Sequence, residues 1–191
     1  MRRNALDRSP SMQLVRQPGS PEGWIDPGQT MLDGPAREAL RQAAAALDAA
    51  ERHMRPHEMS AAFAQVGRCY RELRAHSAAE DALGQALRWA RASASVDLQV
   101  ELLCDLADTA CALADELADD EPRSAHTARE RARDRGFEAS RLASGVADPH
   151  WEVTVLLRVS DTLNRCGDHD DALGLATRAL ALIAAEGKSD A

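Results

Sequence analysis

The sequence predicts an all-α protein made of antiparallel helix pairs stacked on one another, about seven helices in total. Three observations point there. Apolar residues form 45 % of the chain but aromatic ones only 3 %, and the apolar share is dominated by Ala and Leu, which with Arg and Glu favour helix. Apolar positions recur at helical spacing from residue 34 onward. A spaced set also occurs twice, 93 positions apart: Phe63, Val66, Gly67, Tyr70, Ala79, Leu83, Ala86 and Leu87, then Leu156, Val159, Ser160, Leu163, Ala172, Ala176, Ala179 and Leu180. In both copies a small residue is followed twelve positions later by Ala, and seven after that by another Ala. Such spacing lets two antiparallel helices approach closely, and its repetition indicates a stacked array.

Residues 1–33 stand apart. Pro10, Pro18, Pro21 and Pro27 and three glycines break any helical period, which predicts a flexible N-terminal arm. Its Trp24, beside Ile25, is an anchor for docking on the body or on a partner, unless it makes no fixed contact. The helical domain is expected over 34–187. A first helix over 35–53 opens at Gly34–Pro35, since proline suits the first helical turn. Ala36, Leu40, Ala43, Ala44 and Leu47 share one face, and the helix ends near His53 ahead of Pro56.

The first pair is expected over 58–94. Its opening helix runs from Glu58 to Ala75 with Phe63, Val66, Tyr70 and Leu73 on one stripe. Ser77 then acts as N-cap, with Glu80 completing a capping box, and the second helix stops around Ala94. The second pair covers 96–144. Val100, Leu103, Leu106, Ala107, Ala110 and Leu113 form the apolar face of its first helix, which reaches about Ala118. Its second helix runs from about Ser124 to Ala143, and Gly136 inside it predicts a kink or a close helix contact. The third pair covers 150–186. Its first helix ends at Cys166 with Gly167 as a left-handed stop, and Asp168 caps a last helix that ends before Gly187.

On these residues the chain resembles the tetratricopeptide repeat family. The matching segments are 60–93 and 153–186, and the second carries the turn Asn164, Arg165, Cys166, Gly167, Asp168 followed by Asp171 and Ala172. The unit between them is about a dozen residues longer, so its helices or its turn must be longer. Phe63 and Leu156 stand where the family often has Trp. The resemblance implies a short right-handed superhelix that holds a peptide or protein surface in a concave groove lined by the first helix of each pair. The groove positions it implies are Ala64, Arg68 and Arg71 from the first pair and Glu101, Cys104, Asp108 and Cys111 from the second. Leu157, Asp161, Asn164 and Arg165 come from the third. Chaperone-tail binders of the family hold a terminal carboxylate with Lys and Asn; Ala64 and Arg68 stand there, so that activity is not implied.

Charge and composition exclude several classes. With 31 acidic against 23 basic side chains and a net charge of −8, a general affinity for nucleic acid is not expected. No segment has the roughly 20 apolar residues of a membrane span, and no apolar run follows Arg2 and Arg3 to make a signal peptide. A cytoplasmic protein with reduced cysteines at 69, 104, 111 and 166 is therefore expected. Neither a phosphate loop nor a nucleophile elbow is present, so no catalytic residue, cofactor or metal is expected.

Local clusters have plain readings. His53 and His57 are four apart, but Pro56 lies between them, which favours linker histidines over a metal pair. Cys104 and Cys111 lie two turns apart on one face, roughly 10 Å at 1.5 Å rise per residue, which favours packing over a shared metal or disulfide. Arginines at 123, 129, 131, 133 and 135 alternate with Glu130 and Asp134, as on a solvated face with intrahelical ion pairs. Asp168, Asp170 and Asp171 read as capping residues. The expected function is a protein-binding adaptor or regulator, monomeric or weakly dimeric. The alternatives are a small secretion-type chaperone and a self-associating structural subunit. Arg71→Glu and Asp108→Arg are expected to fold normally and lose the partner.

Overall fold

The computed structural model describes residues 34–189. Among them are seven helices: α1 (Pro35–His53), α2 (Pro56–Glu72), α3 (His76–Ala92), α4 (Val96–Leu117), α5 (Pro122–Ala143), α6 (Pro149–Cys166) and α7 (His169–Ser189). No helix among the described residues is long and apolar enough to cross a membrane. The N-terminal arm and its Trp24 lie outside the described residues.

Short turns fold the chain into the pairs α2–α3, α4–α5 and α6–α7, preceded by α1. Each helix packs on the next, and α4 also packs on α6. All eight residues of the first spaced set are buried; in the second, Ser160 and Ala176 are half-buried and Leu180 is exposed. Small residues set the approach within and between pairs. A Cβ on Gly67 would sit 2.6 Å from Leu83 Cγ, and one on Gly136 would sit 3.0 Å from Val159 Cγ1. Gly136 thus marks a close α5–α6 contact rather than a kink. One hydroxyl in each of these pairs adds a link, at a different register: Ser60 donates to the Ala86 carbonyl at 3.0 Å in the first pair, and Ser160 to the Ala172 carbonyl at 2.7 Å in the third.

The middle unit absorbs its extra residues in its helices. Helices α4 and α5 have 22 residues each, against 17 each in α2 and α3. Helix α4 is buried at Val100, Leu102, Leu103, Cys104, Asp105, Leu106 and Ala107 among others.

The ends of the helices differ from expectation in instructive ways. Prolines at 56, 122 and 149 begin helices, because a proline in the first turn gives up only an N–H that has no intrahelical acceptor. Helix α2 therefore starts two residues before Glu58, and it ends at Glu72. Ser77 is not an N-cap: Ala75 holds that place without a side-chain bond, and Glu80 is engaged by α5 instead. The stop at Gly167 is left-handed, with φ 88°. Arg74 and Ala94 take the same conformation, with φ 58° and 55°. In all three turns the next N–H reaches back five residues: Ala75 to Tyr70, Ser95 to Ala90 and Asp168 to Leu163. That bond satisfies carbonyls left open at a helix end. The backbone of α7 runs past Gly187 to Ser189.

Candidate functional site

The first helices of the three pairs, α2, α4 and α6, are joined by a row of ion pairs centred on Asp105. This carboxylate, on α4, is only 3 % exposed. Arg68 Nε donates to its Oδ2 at 2.9 Å, Arg71 to Oδ1 at 3.3 Å, and Arg158 from α6 to Oδ1 at 2.7 Å. Burial alone would raise the Asp105 carboxyl, but the hydrogen bonds from Arg158 and Arg68 outweigh it and hold the group below its ordinary value of 3.8. Arg158 continues the row to Asp108 Oδ2 at 2.6 Å, and Thr162 donates to Asp108 Oδ1 at 3.0 Å. Arg68 also pairs with Glu101, and Arg165 with Asp115 at 3.4 Å. The sign of charge alternates across the row: basic on α2, acidic on α4, basic on α6.

A second row crosses α3, α5 and α7 with the opposite order. Arg131 and Arg135 of α5 hold Glu80 of α3, the former at 2.9 Å. Arg133 reaches Asp168, at the turn into α7, at 3.4 Å and Asp171 at 3.5 Å. The arginine stretch of α5 was expected to pair within its own helix. Instead these three arginines join neighbouring pairs, because at this spacing they point to both sides of α5; His126–Glu130 is a contact of the expected kind. Asp168 and Asp171 likewise serve the junction with α5.

The positions expected to face a partner divide by register. Arg68, Arg71, Glu101 and Asp108 lie in the α2–α4–α6 row and already have partners inside the chain. Arg71→Glu and Asp108→Arg therefore disturb a buried carboxylate or its neighbours and are not clean probes of binding, a correction to the sequence expectation. Ala64, Cys104 and Cys111 are buried and lie beneath that face. Leu157, Asp161 and Asn164 are exposed on α6, with Asn164 Oδ1 2.7 Å from His169 Nδ1. These three stand 93 positions after Ala64, Arg68 and Arg71. In the first pair that register meets α4; in the third no described element covers it. Arg165 is exposed beside Asp115.

Asp105 and Arg158 were not singled out by sequence reasoning. The available signal was the acidic run Glu101, Asp105, Asp108 at i, i+4 and i+7 of one helix, opposite basic residues on both flanking helices. Elsewhere, Tyr70, His76, Asp81, Leu113 and Glu116 line a shallow cleft at the start of α3. There His76 is buried with Nε2 3.2 Å from Glu116, and its Nδ1 has no hydrogen-bond partner. His53 and His57 are both exposed, and no cluster of three metal-ligating side chains occurs among the described residues.

The cysteines pair differently from their sequence spacing. Cys111 lies beside Cys166 of α6, with the sulfurs 3.0 Å apart, rather than near Cys104. Burial pushes the Cys104 thiol up to about 12. Comparison of the chain with protein-family models and with curated proteins finds no match.

Proposed function

We propose that the chain is a tetratricopeptide-repeat-like interaction module, a short right-handed superhelix that holds a peptide or protein surface along the α2–α4–α6 face and catalyses no reaction on it. The observation that carries this reading is the common face itself: three first helices from successive pairs, aligned by one row of charges. Glu101, Arg165 and Asp115 remain substantially exposed along it. Exposed ion pairs of this kind contribute roughly 0–1 kcal/mol to stability, so they are free to exchange their partners for those of a ligand. A polar peptide with charges of both signs fits such a face better than an apolar one. The same reading places the protein in the cytoplasm as an adaptor or regulator, without cofactor, nucleic acid or membrane.

Affinity capture from native lysate with the full chain tests it. Glu101→Lys combined with Arg165→Glu should lose the captured protein at unchanged helix content, whereas Arg141→Glu on α5 should keep it. Equal capture by all three chains overturns the reading.

A second reading, a self-associating subunit, is favoured by one observation. Leu157, Leu173, Leu180 and Ile183 are exposed together on the last pair, and three of them lie on α7. The resulting apolar end would be covered by a second copy of the chain.

A further inference from the structure

We propose that Cys111 and Cys166 form a reversible disulfide site whose oxidising substrate is a hydroperoxide. The two residues lie 55 positions apart, on the first helices of different pairs, yet their sulfurs are 3.0 Å from each other. Closing the bond to about 2.05 Å needs an approach of about 1 Å. Cys166 occupies the last position of α6, ahead of the Gly167 turn, where the backbone yields more readily than inside a helix.

The pair is chemically asymmetric. Cys111 is buried, and its S–H also faces the Thr162 carbonyl at 3.7 Å. Its hydrogen bond with Cys166, together with burial, keeps its own proton on. Cys166 is half-buried and reachable. The same hydrogen bond draws the Cys166 thiol below its ordinary value of 9.0, against burial and Asp168 and with help from Arg165 and Arg129. Asp115 also faces the pair, through Arg165 and Cys111. The accessible sulfur is thus the better nucleophile, and the buried one is placed to resolve it.

The chemistry balances in two steps. The Cys166 thiolate attacks a peroxide oxygen, forming an S–O bond and breaking O–O. The departing alkoxide, or hydroxide from hydrogen peroxide, takes a proton and leaves. The Cys111 sulfur then attacks the Cys166 sulfur, forming S–S and expelling hydroxide, which takes the Cys111 proton and leaves as water. Two thiols lose two electrons in all, and the hydroperoxide is reduced to an alcohol and water. A dithiol reductant reverses the change by exchange. The bond would tie the middle pair to the last one beside the Thr162–Asp108 and Arg165–Asp115 contacts. Cys69 and Cys104 take no part: both are buried, burial raises both thiols, and neither has a sulfur neighbour among the described residues.

The test uses the native full chain and hydrogen peroxide, followed by alkylation in denaturant and mass spectrometry. Two of the four thiols should disappear, the chain should become lighter by two hydrogens, and dithiothreitol should restore both. Tryptic mapping should join the peptide that begins at Cys166 to residues 92–123. Cys104→Ser should keep that link, and Cys111→Ser and Cys166→Ser should each lose it. In Cys111→Ser, dimedone should trap a sulfenic acid at Cys166. Persistence of four thiols in tenfold excess peroxide overturns the proposal, as does oxidation that yields only cross-linked chains or sulfinic acid. Residues 92–123 hold both Cys104 and Cys111, so fragmentation of the linked wild-type peptide between those two positions assigns the partner of Cys166 even if a serine variant folds poorly, and a link to Cys104 overturns the proposal.

Discussion

At the residue scale the decisive side chain is Asp105. A carboxylate this deeply buried would be costly without partners, and three guanidiniums supply them. Removing the charge leaves Arg68, Arg71 and Arg158 facing one another, although each is partly open to water. Asp105→Asn should therefore cost about 2–3 kcal/mol, somewhat less than the roughly 3–5 kcal/mol typical of breaking a fully buried pair. The sign of the pH effect follows from the lowered carboxyl. Its contribution is present above the unfolded value near 3.8 and is lost as pH falls through the lower folded value. Urea unfolding midpoints of wild type and Asp105→Asn should differ at pH 7 and converge as the solution is acidified below that window. A gap that persists undiminished at low pH would show that packing, not charge, is what the carboxylate provides. In the sequence Asp105 is one of several carboxylates on the polar side of α4, and nothing local marks it as buried. Only the fold brings arginines from 37 positions before it and 53 after it.

At the element scale the apolar period made the existence of every helix legible, while the ends were less so. Prolines at 56, 122 and 149 were readable as helix starts as much as breakers, and the local sequence does not decide between the two. Gly167 announced its left-handed turn, but Arg74 and Ala94 adopt the same turn without glycine. Packing of the flanking helices enforces that conformation against their intrinsic preference. The two copies also solve the helix–helix approach differently. Gly67 faces Leu83 in α2–α3, whereas the equivalent positions in α6–α7 hold Ser160 and Ala176. A larger residue on the first helix accompanies a smaller one on the second. Gly67→Ser alone should overpack and cost about 1–3 kcal/mol, and Leu83→Ala alone about 2–5 kcal/mol. The double variant should cost at least about 1 kcal/mol less than the sum, since the smaller alanine admits the hydroxymethyl group. A denaturant double-mutant cycle measures this, and strict additivity would mean that the two positions do not share the contact.

At the scale of the whole molecule, the 93-residue repeat relates two surfaces with different fates. Leu87 in the first pair is 8 % exposed because the next pair covers it, while its equivalent Leu180 is 65 % exposed. Glu80 and Ala90, enclosed at the α3–α5 junction or in the core, correspond to Leu173 and Ile183, both exposed. Ala64, buried against the next pair, corresponds to exposed Leu157. The register used inside the array to stack pair on pair is thus repeated on α6–α7 with larger apolar side chains. A terminal unit built to face water carries polar residues there instead. This contrast was latent in the sequence, but which copy has a neighbour on its far side is legible only from the fold. Association of two such ends would bury these four side chains. Light scattering of the wild-type chain should then show mass rising with concentration. Leu173→Glu with Leu180→Glu should hold it at the monomer mass, with helix content unchanged and stability altered by no more than about 0.5 kcal/mol, because both positions are on the surface. A constant monomer mass for the wild type across the concentration range would sink self-association through this end.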